Sequence, residues 1–158
     1  MLYYVYTGLL NAVTSFILGV FIFRRNSKDS KFLTFSLFCL SMTIWSFSYF
    51  MWHLSTDEKS ALFWCRILMA GTIFIPLFYF HHIVEFFALF DKKIKVVFFG
   101  YLSGVFFLIL DFTDLFVKAV GAKQFFKYWP IPGPFFHLFL VVFLLYFLFS
   151  LFLLFKFY

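Results

Sequence analysis

The sequence predicts an all-α membrane protein, a polytopic bundle of five transmembrane helices. Of its 158 residues, 65% are apolar and only 13% are charged, about half the charged share of an ordinary soluble domain. Five segments reach the roughly 20 apolar residues that a helix needs to cross the hydrocarbon core. These segments are apolar on all sides, whereas the strands of a membrane barrel alternate with a period of two, so we expect helices.

The five predicted spans form one transmembrane domain and cover residues 3–23, 32–54, 57–90, 94–113 and 134–155. The first span lacks the basic leading segment and small-residue cleavage site of a signal peptide, so we expect it to stay attached. Ser55 and Glu58 have the spacing of a capping box, which indicates the start of the third helix. In the long connection 114–133, Gly121 and Ala122 lie between two short runs and indicate a hairpin turn.

Basic residues in the connections set the predicted orientation, because cytoplasmic loops of membrane proteins collect Lys and Arg. The first and third connections are rich in basic residues, whereas the second contains only Lys59. Counting Lys156 after the fifth span, eight basic residues fall on one side and five on the other. The sequence therefore predicts a multi-pass protein of the plasma membrane with its N-terminus and residues 114–133 outside and its C-terminus in the cytoplasm.

Charge and cysteine content exclude several classes of function. The net charge of +6 is spread over short loops, so we expect no nucleic-acid partner. Cys39 and Cys65 belong to no metal-type cluster, and the predicted topology separates them by roughly 20 Å, too far for a disulfide. No serine, cysteine or carboxylate has a neighbouring base in an arrangement that would support nucleophilic catalysis, and no glycine-rich loop could bind phosphate. We expect no catalytic residue, no cofactor and no metal, and hence no enzyme.

The sharpest polar cluster consists of His81, His82 and Glu85 in the third span, because ionisable groups inside hydrocarbon usually mark ion paths, relays or buried partners. The three residues share an arc of roughly 100° on the helix, and His81 and Glu85 lie one turn apart. Structural pairing, proton or ligand sensing, and metal binding are the alternatives. Adjacent histidines diverge by about 100°, which makes joint metal ligation awkward. Pro76 lacks a backbone donor and is a candidate hinge.

A second polar group is predicted near the outer ends of the helices, where it forms either a ligand pocket or a solvated rim. In the rim alternative, the guanidinium of Arg66 extends to the lipid headgroups. The aromatic residues of the 114–133 connection suit the same layer. The members of this predicted outer pocket are His53, Arg66, Asp111, Asp114 and Trp129.

Small and polar residues predict where the helices pack, because helix association in lipid relies on close approach and on hydrogen bonds between helices. Asn11 lies on a polar stripe of the first span. Gly100 and Gly104 form a GxxxG pattern in the fourth, which serves either packing within the chain or a homodimer. The fifth span is almost uniformly apolar, so we expect it at the periphery.

Several local patterns are distributed along nearly the whole chain. They are Arg24-Arg25 after span one, Trp45 with Tyr49 in span two, Phe63-Trp64-Cys65-Arg66 opening span three, Gly71 and Pro76 within it, and residues 129–134 with their Pro-Gly-Pro. Together they resemble the N-terminal seven-helix membrane region of sensor histidine kinases and related signalling proteins. The resemblance implies that the chain is the first five of seven helices, and that its reading frame continues into a cytoplasmic region that would carry any kinase activity.

The leading functional hypothesis is a membrane sensory or input module, which relays a ligand or membrane stimulus to cytoplasmic output domains absent from this chain. One alternative is a small transporter or an ion- or proton-conducting protein, based on His81, His82 and Glu85. Another is a structural subunit of a membrane assembly, based on the GxxxG pattern. The expected partners are the lipid bilayer, a small-molecule ligand at the outer face and a second copy of the chain.

Overall fold

The computed structural model describes the backbone of residues 2–158 and the side chains of residues 5–158. Within this part, the chain forms five helices, each long and apolar enough to cross a membrane, which confirms the predicted all-α class. A two-stranded antiparallel hairpin lies between the fourth and fifth helices. The elements are α1 (Leu2–Arg25), α2 (Ser30–His53), α3 (Glu58–Phe86), α4 (Phe90–Asp111), β1 (Val117–Lys123), β2 (Phe126–Pro132) and α5 (Phe136–Phe157).

Helix α3 is the central element of the bundle. It contacts α2, α4, α5 and both strands, while α1 packs on α2. A Cβ atom at Gly71 would lie 2.8 Å from the backbone nitrogen of Trp45 and 3.0 Å from the carbonyl oxygen of Ser41. The missing side chain therefore lets the backbones of α2 and α3 approach closely. Helix α5 is the least buried of the five, as its uniformly apolar sequence predicts.

The two ends of the bundle differ in character. One end carries the α1–α2 and α3–α4 turns, and at this loop end the His82 Nδ1 atom lies 3.2 Å from the carbonyl oxygen of Lys31. The other end carries the α2–α3 turn and the hairpin, and here Arg66 donates to the carbonyl oxygen of Phe112. The hairpin end and the loop end are therefore the two opposite ends of the helix bundle.

The boundary between α3 and α4 differs from the predicted spans 57–90 and 94–113. Helix α3 ends at Phe86 because Ala88 takes a left-handed φ of 51°. The Leu89 amide donates to the Val84 carbonyl at 2.8 Å and the Ala88 amide to the Glu85 carbonyl at 3.1 Å, the pattern of a Schellman cap. Helix α4 then begins at Phe90 and runs through charged residues that a search for apolar length assigns to a connection.

The predicted hairpin in the connection 114–133 is confirmed, but its turn does not lie at Gly121 and Ala122. Gly121 lies inside β1 opposite Trp129, and the chain turns three residues later, at Gln124 and Phe125. Gln124 supplies the positive φ of 53° that this tight turn requires. A glycine between two short runs indicated a turn in the sequence, but the left-handed residue here is a glutamine, and few non-glycine residues adopt that conformation.

Replacing Ala88 by glycine is expected to stabilise the protein. Ala88 is exposed and its side chain contributes little packing, whereas its Cβ atom strains the left-handed conformation. Because glycine adopts this conformation without that strain, we expect Ala88→Gly to raise the free energy of unfolding by about 1 kcal/mol. Thermal unfolding in detergent micelles measures the gain. Ala70→Gly, inside α3, is the matched control and is expected to lower stability by about 1 kcal/mol.

Candidate functional site

The hairpin is attached to α2 and to the α2–α3 turn by two hydrogen bonds of aromatic side chains. The Trp52 indole Nε1–H donates to the Tyr128 carbonyl at 2.7 Å, and the Tyr128 hydroxyl donates to the Thr56 carbonyl at 2.8 Å. Val120 of β1 packs in the same buried cluster as Trp52 and Cys65. The connection 114–133 is therefore a folded layer that covers the ends of the helices.

A single arginine ties the same layer to α3. The Arg66 guanidinium donates to the Phe112 carbonyl at 3.2 Å and to the Val117 carbonyl at 3.4 Å, and it forms an ion pair with the Asp114 carboxylate at 3.0 Å. The Arg66 side chain is 21% exposed. The guanidinium therefore binds to the hairpin layer. In the predicted rim alternative it would instead extend to the lipid headgroups.

Between these two attachments lies a cavity of about 510 Å³, which we call the aromatic cavity. Its volume falls within the range of small-molecule sites, roughly 300–1,000 Å³. Four segments far apart in sequence supply its walls: the end of α2 from Trp45 onwards, residues 65–69 of α3, the hairpin and the start of α5. The lining residues are Trp45, Tyr49, Trp52, Cys65, Leu68, Met69, Val117, Lys123, Phe126, Trp129, Pro130, Pro132 and Phe136.

The rings of this cavity form an ordered wall. Trp52 and Phe126 are stacked with 15° between their planes, and Trp129 meets Trp52 edge to face with ring centroids 6.0 Å apart. Trp45 and Tyr49 are stacked one turn lower on α2, at 6.1 Å. Such offset and edge-to-face contacts stabilise aromatic pairs beyond the area they bury. The walls therefore present fixed ring faces and edges to any occupant.

The predicted outer pocket does not form as one site. Trp129 lines the aromatic cavity, while Arg66 and Asp114 attach the hairpin to α3. His53 packs on the Tyr49 ring at 4.4 Å and lines a smaller neighbouring cavity of about 160 Å³.

Asp111, the fifth member, is fully buried at the end of α4. Its carboxylate oxygens accept no hydrogen bond from the described residues, and its main electrostatic partner is the guanidinium of Arg66.

The predicted intramembrane cluster divides between two neighbouring helices. His81 lies 2.7 Å from the Tyr101 hydroxyl of α4 through Nδ1, and 3.4 Å from the Glu85 carboxylate through Nε2. His82 instead points towards the start of α2, with Nδ1 near the Lys31 carbonyl and the Thr34 hydroxyl. Among the described residues, no group of three His, Cys, Asp or Glu side chains could hold a metal ion. The Nδ1 contact joins His81 of α3 to Tyr101 of α4, whereas Nε2 makes no hydrogen bond within the described residues.

We expect Glu85→Gln to perturb the protein more than Glu58→Gln. The Glu85 side chain is 17% exposed and pairs with His81, whereas Glu58 is exposed in the first turn of α3. Losing the carboxylate beside the imidazole is expected to cost about 1–2 kcal/mol, against about 0.5 kcal/mol for the charge of Glu58 near a helix N-terminus. Thermal unfolding of both variants tests this, and equal losses would show that Glu85 behaves as an interfacial charge.

The residues predicted to pack helices lie at contacts within the chain. The Asn11 amide donates to the Ser46 hydroxyl at 2.6 Å and joins α1 to α2. A Cβ atom at Gly100 would lie 3.1 Å from the Tyr146 ring of α5, and one at Gly104 would lie 2.7 Å from Leu77 of α3. A homodimer through this GxxxG pattern would have to displace those two neighbours.

The candidate hinge Pro76 is buried inside α3, where the helix continues through it. It lies against an apolar groove of about 360 Å³ between α2 and α5, together with Phe38 and Phe147. The missing amide of Pro76 leaves one helical hydrogen bond unmade in this turn. The position is thus a weak point of the central helix, beside a neighbouring space into which side chains can move.

Sequence reasoning missed most of the aromatic cavity. Trp45, Tyr49 and Trp52 follow one another at intervals of four and three residues, which places them on one face of α2. That spacing was a usable signal, although the aromatic residues alone also suited a membrane interface. Lys123 and Phe126 carried no such signal, because their position depends on where the hairpin turns.

Comparison with known proteins agrees with this architecture. The family model of the N-terminal 7TM region of histidine kinase matches residues 8–158. No curated protein and no solved structure matches the chain. The matched family is a sensory input region rather than a catalytic domain. Its five helices are each long and apolar enough to span a membrane, as expected of a multi-pass membrane protein. The chain belongs to the family of N-terminal 7TM regions of histidine kinases.

Proposed function

We propose that occupancy of the aromatic cavity is the input of this sensory module. A ligand in the cavity contacts α2, α3, the hairpin and the start of α5 at once. Binding favours the helix arrangement that it fits better, and the change is relayed along α2 and α3 to the loop end and to cytoplasmic output domains outside this chain. Such a relay requires that the ligand bind two arrangements with different affinity.

One observation carries the proposal: the cavity is walled by four separate segments and lies directly on the central helix. Gly71 brings the backbones of α2 and α3 together just below it. A shift of α3 at the cavity therefore acts on α2 through backbone contact. Pro76, five residues further along α3, lacks a backbone donor, so a bend of the helix is easiest at this level.

Filling the cavity by mutation tests the relay without any ligand. Met69→Trp places a large ring in the cavity, and Phe63→Trp, at a residue 56% exposed on the same helix, is the matched control. Nitroxide labels on Ser27→Cys, in the α1–α2 turn, and Lys92→Cys, in the first turn of α4, report a distance across the loop end by pulsed electron paramagnetic resonance in lipid nanodiscs. Cys39 and Cys65 are buried and shielded from the label.

We expect the distance distribution to shift in Met69→Trp and to stay unchanged in Phe63→Trp. Identical distributions in Met69→Trp, in Phe63→Trp and in the labelled protein without either substitution would contradict a relay from the cavity. A transporter or conducting protein would behave differently, because the purified chain in proteoliposomes would then support solute or proton flux. Flux by the chain alone would overturn the sensory proposal.

In the same proposal, the protein lies in the plasma membrane with the hairpin end outside. The support is the concentration of basic residues in the two loop-end turns, which favours the cytoplasmic side. Reporter fusions at Asp29 and Lys93 are then expected to report the cytoplasm, and fusions at Asp57 and Gly121 the exterior. The reversed pattern would refute this orientation.

A further inference from the structure

The chemistry of the aromatic cavity restricts the class of ligand it accepts. Its walls combine ring faces, proline rings and aliphatic side chains, and Trp52 has already committed its indole N–H to the Tyr128 carbonyl. The bulk of an occupant is therefore apolar. Because the stacked Trp45–Tyr49 and Trp52–Phe126 pairs offer flat surfaces, a planar ring gains more contact there than a flexible chain.

Lys123 is the one charged residue among the lining residues that the structure describes. It lies at the end of β1 next to the turn, and its ammonium group lies 5.6 Å from the centre of the Trp129 ring. The same lysine therefore faces the cavity and is held over one of its walls. No carboxylate is among the described lining residues, so a ligand that carries one negative charge complements this exposed cation.

We propose that the aromatic cavity binds a small aromatic carboxylic acid, with its ring among Trp45, Trp52 and Trp129 and its carboxylate paired with Lys123. The inference rests on the proposed function and gives the ligand class of that same site. A hydrogen-bonded pair with the ammonium sets the orientation of the acid, and the rings supply most of the contact. Ligand sites commonly have this division between an apolar body and a few polar groups.

Binding is tested with the full chain in lipid nanodiscs and three matched probes. The probes are 3-phenylpropionate, its neutral amide 3-phenylpropionamide, and octanoate, which has the charge and no ring. Quenching of the intrinsic tryptophan fluorescence and titration calorimetry report binding, since Trp45, Trp52 and Trp129 all line the cavity. Because octanoate resembles a membrane fatty acid, it also separates a soluble aromatic acid from a lipid-derived ligand.

Two lysine variants isolate the charge. Lys123→Gln removes the cavity cation, and Lys118→Gln removes an exposed cation on the same strand that does not line the cavity. We expect 3-phenylpropionate to bind about tenfold more tightly than the amide, a preference that Lys123→Gln abolishes and Lys118→Gln keeps. Both variants replace exposed side chains, so their folding is expected to stay intact.

Equal affinity for the acid and the amide would overturn the assignment of the carboxylate to Lys123. Equal or tighter binding of octanoate would overturn the aromatic assignment and point to an acyl chain from the bilayer. If neither acid binds, the proposed ligand class is wrong, whereas the loop-end distance shift of Met69→Trp can still support the relay. Conversely, binding of 3-phenylpropionate with no shift in Met69→Trp supports the ligand class and contradicts the relay.

Discussion

Gly133→Ala is expected to detach the hairpin layer from the helices. Gly133 is buried between β2 and α5, and its amide donates to the Phe116 carbonyl at 2.8 Å. A Cβ atom there would overlap the carbonyl group of Leu115 and lie 2.7 Å from the carbonyl oxygen of Asp114. Because these neighbours are backbone atoms, they cannot rotate away, and we expect a loss of about 3 kcal/mol. Thermal unfolding in detergent micelles measures the loss.

Gly121→Ala is the matched control for this prediction. Gly121 lies in the same hairpin, but a Cβ atom there meets only the end of the Ile131 side chain, at 3.3 Å. That side chain can move by a few tenths of an ångström, so we expect a change within about 0.5 kcal/mol. Similar losses of unfolding free energy in Gly121→Ala and Gly133→Ala would show that the close backbone neighbours of Gly133 do not make that position special.

The sequence contained enough information for the helices and their order, because apolar length alone identifies a membrane span. It misplaced the α3–α4 boundary for a physical reason. Apolar length measures the part of a helix that can lie in hydrocarbon, whereas α4 already begins at Phe90 and includes the charged residues Lys92, Lys93 and Lys95. The stop at Ala88 was hidden as well, since a left-handed alanine has no distinctive sequence signal.

The candidate site was less predictable than the fold. Single polar residues such as Arg66 and Asp111 were recognised because charge in a membrane is costly. A sequence does not show, however, that Arg66 binds backbone carbonyl groups or that Asp111 is fully buried. The aromatic cavity depends on the register of the hairpin, which sets Lys123 opposite Phe126 and Gly121 opposite Trp129. A turn placed at Gly121 would have put different side chains over α2 and α3.

Arg66→Met is expected to free the hairpin from α3 while keeping most of the apolar volume of the arginine stem. The substitution removes the donors to the carbonyls of Phe112 and Val117 and the cation beside the buried carboxylate of Asp111. Hydrogen bonds from a charged donor contribute about 1.5–3 kcal/mol each, so we expect a loss of roughly 3 kcal/mol. Hydrogen exchange of the Val117–Lys123 amides reports the detachment directly, alongside thermal unfolding.

Asp114→Asn separates the ion pair from the carbonyl contacts. The Asp114 side chain is 78% exposed, and exposed pairs are worth about 0–1 kcal/mol because water screens them. We therefore expect Asp114→Asn to leave hairpin exchange nearly unchanged. Arg66→Lys is expected to fall between the two variants, because one ammonium keeps the charge beside Asp111 but cannot span three acceptors. If Asp114→Asn matched Arg66→Met, the exposed ion pair would be the main attachment, and the carbonyl contacts of Arg66 would contribute little.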